Sequence, residues 1–187
     1  TASRQNVIAT AQNLTAVINQ IDQSLRDIRG DLNTQIREDV TEVNRITKEI
    51  AGLNSEIRKV VTSGHQPNDL MDKRDLLIDE LSKYVDVNVS ETESEQVAIH
   101  IGSRQLVWND SYEELSDDVA WDHPSQETQT PGFSDVSQSD FNSLGDFSKG
   151  ELKGLLNSRD VYAPEVFDQF NEMVRTIADA VNNACSA

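Results

Sequence analysis

Cysteine, aromatic residues and basic residues are all scarce in this 187-residue chain, and each scarcity removes a class of explanation. A single cysteine, Cys185, excludes an intramolecular disulfide and any cysteine-based metal centre. Aromatics make up 5% of the residues, so Leu, Ile and Val must supply most of the core. With 16 Lys and Arg against 33 Asp and Glu, the formal net charge is −17 and the pI about 4.4. That balance argues against nucleic acid or an anionic membrane as partner, because both need a basic face. No run approaches the roughly 18 apolar residues of a membrane span. The start, TASRQNVIATAQNL, lacks the basic and apolar regions of a cleaved signal peptide.

Proline is also absent from residues 4–61, and glycine occurs there only as Gly30 and Gly52. The apolar residues Val7, Ala11, Leu14, Ile18, Ile21, Leu25 and Ile28 alternate steps of four and three, a heptad seam. Steps of four through Leu32, Ile36 and Val40 interrupt it as a stutter. Tighter spacing resumes at Val43, Ile46, Ile50, Leu53, Ile57 and Val60. The pattern predicts one helix of close to 60 residues, or two collinear helices hinged near Gly30. Such a helix would reach roughly 85–90 Å.

Ser63-Gly64-His65-Gln66-Pro67 breaks that helix, and a second begins near Pro67 or Asn68, turning Leu70, Met71, Leu77, Ile78 and Leu81 inward. From Val85 the period becomes two: Val85, Val87, Val89, then Val97, Ile99, Ile101, then Gln105–Trp108 after the Gly102-Ser103 turn. This predicts a small antiparallel sheet of three strands. Residues 109–147 hold ten acidic and no basic side chains, with sparse apolar residues, and read as an irregular excursion with one strand near Tyr112–Val119. Helix returns at Gly150–Leu156. Pro164 opens a last helix whose seam is Phe167, Phe170, Val174, Ile177 and Val181. The expected fold is mainly α: an elongated, coiled-coil-like helical bundle with a small β-element at 85–108. One helical domain comprises 1–108 and 148–187, and 109–147 forms the acidic excursion.

Chemistry is thin. Asp72, Asp75 and Asp79 fall at i, i+3 and i+7 on one helical face beside Lys73, Arg74 and Lys83. A metal would need oxygens converging from more than one element, so these carboxylates read as a salt-bridged or solvated face. His65, His100 and His123 lie in a loop, a strand and the acidic segment, with no H-E-x-x-H spacing. His100 alternates with Ile99 and Ile101 and faces away from them. No Ca²⁺ loop, phosphate-binding glycine loop or nucleophile elbow is present, and no cofactor, catalytic residue or metal ligand is predicted. What remains are the helix-packing seams: Ile18, Ile21, Leu25, Ile28, Ile46, Ile50, Leu53 and Ile57 in the long helix, and Phe167, Phe170, Val174, Ile177 and Val181 in the last. The long helix offers more apolar length than the last helix can cover. Another element, a neighbouring subunit or further chain must take the surplus.

The stretch NDLMDKRDLLIDELSKYVDVNV (68–89) resembles the flagellar hook-associated protein 1 family. Upstream, Ile36, Val43-Asn44 and Glu49–Ile57, including Asn54, are similar to the family's paired asparagines on a long helix. Downstream, Gly150–Asp160 and Pro164–Asn182 are similar to its return into the helical domain. The resemblance implies a non-enzymatic structural subunit at the hook–filament junction of the bacterial flagellum. It implies a ring of copies meeting the hook protein and the neighbouring junction protein, and export through the flagellar type III pathway. The chain reads as an internal fragment without the family's terminal segments, with its outer domain reduced to 109–147. Alone it is expected to be monomeric or weakly associating. The alternative is an acidic surface or adhesin-like module that binds through 109–147.

Overall fold

The computed structural model describes residues 2–102, 104–116, 137–138 and 148–186. The elements are α1 (Ala2–Thr62), α2 (Asn68–Tyr84), β1 (Val87–Glu91), β2 (Val97–Ile101), β3 (Arg104–Trp108), β4 (Ser111–Tyr112), β5 (Leu115–Ser116), β6 (Ser137–Gln138), α3 (Glu151–Asn157) and α4 (Ala163–Ser186). A 3-10 turn at Glu93–Glu95 joins β1 to β2, and a π-helical stretch at Ser158–Tyr162 joins α3 to α4. The fold is mainly α with a small antiparallel sheet. Helix α1 includes both Gly30 and Gly52.

The chain forms two compact units: Thr1–Leu32 with Asn157–Ala187, and Asn33–Leu156. In the larger unit, Ile36, Val40, Val43, Ile46, Ile50 and Ile57 line one side of α1 and are almost fully buried. All of these but Ile57 share a core with Leu81, Val85, Val97, Ile99, Ile101, Leu106, Val107, Leu115 and Leu152. Each such aliphatic side chain contributes roughly 1.5–3 kcal/mol when removed from water. This core joins residues of α1, α2, α3 and the strands in one cluster.

The break after α1 has a clear local cause. Gly64 adopts φ +81°. The His65 N–H reaches the Val60 carbonyl at 3.2 Å and the Gly64 N–H reaches Val61 at 2.9 Å. These bonds form a Schellman cap, which favours glycine because it lacks the Cβ that disfavours positive φ. Helix α2 then ends at Val85, whose extended backbone starts the return toward β1.

The sheet has four strands in the order β1-β2-β3-β4, one more than the sequence pattern predicts. The extra strand, Ser111–Tyr112, is two residues long and pairs with Val107 and Trp108, too short for periodicity to register. The single strand expected over Tyr112–Val119 is divided between β4 and β5. Strand β5 pairs with β6, and residues 117–119 lie outside the described residues. The register shift between Ile99 and His100 leaves Leu106 as the extra residue of a bulge in β3, and the consecutive Leu106 and Val107 are both buried. His100 is half-buried between buried Ile99 and Ile101.

Gly150 marks the return to helix. Its φ is +96°, and a Cβ there would lie 2.4 Å from the Tyr84 carbonyl oxygen. Only glycine fits this crossing of the chain over the end of α2. Close by, the Ser148 hydroxyl donates to the Asp86 carboxylate.

In the smaller unit, Ile18 and Leu25 of α1 and Phe167, Phe170, Val174 and Ile177 of α4 are half-buried. The Arg26 guanidinium lies 5.8 Å from the centre of the Phe167 ring, a cation–π contact.

Candidate functional site: polar clamps and apolar helix faces

Two asparagines on α1 act as substitute strand residues. Asn44 donates from Nδ2 to the Leu115 carbonyl at 2.8 Å and accepts from the Leu115 N–H at 2.8 Å. Asn54 repeats the arrangement with Val97, at 2.8 Å to the carbonyl and 3.1 Å from the N–H. A side-chain amide has the donor and acceptor of a peptide unit, so each asparagine occupies a backbone position that another strand would otherwise fill. Asn54 goes further. Its second amide hydrogen meets the Asn109 carbonyl at 2.6 Å, and its Oδ1 accepts from Arg74 at 3.5 Å. Both donors and both lone pairs of a fully buried amide are thereby used.

Around Asn54 the polar contacts continue. Gln96 donates to the Asn54 backbone carbonyl at 3.3 Å, and Arg74 Nη1 donates to the Glu95 carbonyl at 2.6 Å. Ser94 and Glu95 both have positive φ, 59° and 58°, so Arg74 ties down a turn in a sparsely populated conformation. Arg74 pairs with Asp75 of the aspartate face, as its sequence position suggests, and also does more. Sequence position groups it with Lys73 and Lys83 as a partner for the aspartate face, but it is buried and reaches inward to Asn54 and Glu95. Asp75 approaches its Nε at only 3.6 Å. The long aliphatic stem lets a guanidinium reach across the helix–turn junction, something residue type alone does not reveal. Asp72, Asp75 and Asp79 are exposed. Among the described residues, no group of three or more His, Cys, Asp or Glu side chains is arranged to hold a metal ion.

A second polar feature lies where α1, α2 and α3 meet. Asp39 is buried at 8% exposure, and its Oδ2 has no hydrogen-bond partner among the described residues. Burial, with the charges of Glu151 and Glu38, pushes its carboxyl up to about 6. The Tyr84 hydroxyl is raised as well, first by burial and then by the acidic groups Glu42, Asp39, Glu151 and Glu80. Arg45 supplies positive charge close by, bonding Glu42 at 2.6 Å and Glu49 at 2.7 Å, with Glu80 at 3.7 Å. The Glu42 carboxyl is lowered accordingly, chiefly through its hydrogen bonds to Arg45.

The seam residues divide. Ile46, Ile50 and Ile57 are fully buried, while Leu53 is half-buried at a groove. Ile18, Leu25, Phe167, Phe170, Val174 and Ile177 are half-buried, whereas Ile21, Ile28 and Val181 are exposed at 39%, 53% and 46%. A straight helix drifts about 20° per heptad, so a strict three-four stripe does not stay opposite a single partner. Val17, Val166 and Met173 are exposed too. The groove is about 420 Å³ and lies between α1 and α2, lined by Glu49, Gly52, Leu53, Glu56, Lys73, Leu76 and Leu77. Leu76 is 70% exposed. Its sequence signal is the run Leu76-Leu77-Ile78: three successive residues on a helix span about 200°, so they cannot all face one core.

Comparison with known proteins agrees with this architecture. The family described as the flagellar hook-associated protein FlgK helical domain matches residues 1–187. Flagellar hook-associated protein 1 of Salmonella typhimurium is 42% identical over 91 residues, covering 48% of this chain and 16% of that protein. The Bacillus subtilis protein of the same name is 36% identical over 93 residues, covering 50% of this chain and 18% of that protein. The flagellar hook junction protein FlgK from Burkholderia pseudomallei superposes with a TM-score of 0.57 at 26% identity, over 73% of this chain and 25% of that one. The matched regions span less than a fifth of the length of these two curated relatives. The chain belongs to the flagellar hook-associated protein FlgK helical-domain family.

Proposed function

We propose that this chain is the helical domain of a structural adaptor at the junction between flagellar hook and filament. The observation that carries the reading is the family match over residues 1–187. The physical arrangement supports it. The polar side chains of Asn44, Asn54 and Gln96 fasten strand segments to α1. Apolar residues such as Ile28, Val166 and Met173 are left exposed on helix faces and suit packing against other subunits. In this reading the protein acts without catalysis or cofactor. Copies stand side by side in a ring, meet the hook protein on one side and the neighbouring junction protein on the other, and reach that place through the flagellar type III pathway. The seam residues Ile18, Ile21, Leu25, Ile28, Ile46, Ile50, Leu53, Ile57, Phe167, Phe170, Val174, Ile177 and Val181 are proposed to hold the helical domain and its assembled neighbours together. The isolated chain associates weakly or not at all.

Deleting the gene that encodes the parent protein tests this. Cells should build hooks that carry no filament, and the intact gene should restore filaments. Normally anchored filaments in the deletion strain would overturn the proposal.

A further inference from the structure

We infer that the groove floored by Gly52, Leu53 and Leu77 receives the Val166–Met173 ridge of α4 from a second copy of this chain. The inference rests on the reading of the chain as a subunit that assembles side by side, and it names the surfaces involved.

Three observations carry it. First, Gly52 sits inside α1, where glycine costs about 0.5–1 kcal/mol relative to alanine. A Cβ there would meet nothing within 4 Å, so no contact within the chain requires the glycine. A missing side chain on an exposed helix face lets another helix approach closely. Second, one apolar wall of the groove is open to solvent: Leu76 is 70% exposed above it. The same chain carries a matching ridge, since Val166 and Met173 are each 46% exposed and lie seven residues apart, two turns of α4. Glu49 and Glu56, which bracket the groove on α1, have the same separation, roughly 10 Å along a helix. Third, the charges are complementary in one orientation. Glu165 and Glu172 each precede a ridge residue by one position and form an acidic line beside the ridge. Lys73 on the α2 rim is exposed and makes no ion pair among the described residues. Docking with the acidic line toward Lys73 and away from Glu49 and Glu56 pairs opposite charges and separates like ones.

Cysteine cross-linking in a Cys185→Ser background reads this contact in the intact 187-residue chain. Leu76→Cys molecules mixed with Met173→Cys molecules should form mixed dimers roughly tenfold more readily than Leu76→Cys with Val7→Cys, whose site is more open to solvent, at 59% exposure against 46%. Lys73→Glu on the groove side should lower the yield severalfold, and Glu172→Lys on the ridge side should restore it. Gly52→Ala should keep or raise the melting temperature while cutting the cross-link. Equal yields for the Met173 and Val7 pairs overturn the inference, as does a dominant Leu76–Leu76 product or failure of the charge swap. None of these outcomes bears on whether the parent protein anchors filaments, so the adaptor reading stands or falls separately.

Discussion

Replacing Asp39 by asparagine should stabilise the protein at neutral pH, against the usual direction of a core substitution. The Asp39 carboxyl titrates at about 6 in the folded chain against 3.8 for an unperturbed aspartate. Between those values the folded state holds a proton that the unfolded state has released, so stability from this group is greatest at low pH. It falls as pH rises from about 4 to 6 and is constant above that. Two pKa units at about 1.4 kcal/mol each put the penalty near 3 kcal/mol at pH 8, taken as a ceiling. The asparagine side chain is neutral throughout and nearly the same shape. Urea unfolding of both proteins, followed by Trp108 fluorescence in a Trp121→Phe background, should show no difference near pH 3.5. The variant's advantage should grow through pH 5 and level off above pH 7. Glu42 and the other acids titrate in both proteins, so the difference isolates Asp39. An advantage that does not change with pH, or a variant less stable at pH 8, would refute the reasoning.

Three further sets of substitutions probe the fold and the aspartate face of α2. Asn54→Leu leaves the Val97 N–H and carbonyl, the Asn109 carbonyl and Arg74 without their partner, and should cost about 3–5 kcal/mol in the same unfolding assay. Gly150→Ala forces a Cβ against the Tyr84 carbonyl at positive φ and should cost at least about 2 kcal/mol, seen as a lowered melting temperature. Asp72→Ala, Asp75→Ala and Asp79→Ala remove exposed charges, and each should change stability by no more than about 0.5 kcal/mol. A larger loss from any of the three would mean that the face is packed rather than wet.

Much of the fold is written in spacing that a single sequence displays. The three-four steps of Val43, Ile46 and Ile50 mark the buried side of α1, and alternation from Val97 to Ile101 marks β2. The Gly64–Pro67 break is visible because glycine and proline each have a local reason to be there. Features that depend on reach across the structure are not visible in that way. Arg74 has the composition of a surface residue and becomes buried only because Glu95 and Asn54 lie at the end of its side chain. Asp39 belongs to a polar stretch of α1 and is buried near α3, more than a hundred residues later. Family resemblance points to the asparagines, but their use as strand substitutes follows only from the positions of Val97 and Leu115. Leu76 carries a legible signal, one apolar residue too many in succession. Its groove depends on Gly52 and Leu53 from α1.

The adaptor reading is tested most directly by locating the parent protein in the cell. Immunoelectron microscopy of isolated hook–filament assemblies, with antibody raised against this chain, should place label in a narrow band where hook meets filament. Label spread over the cell surface away from hooks, with none at the junction, would contradict it.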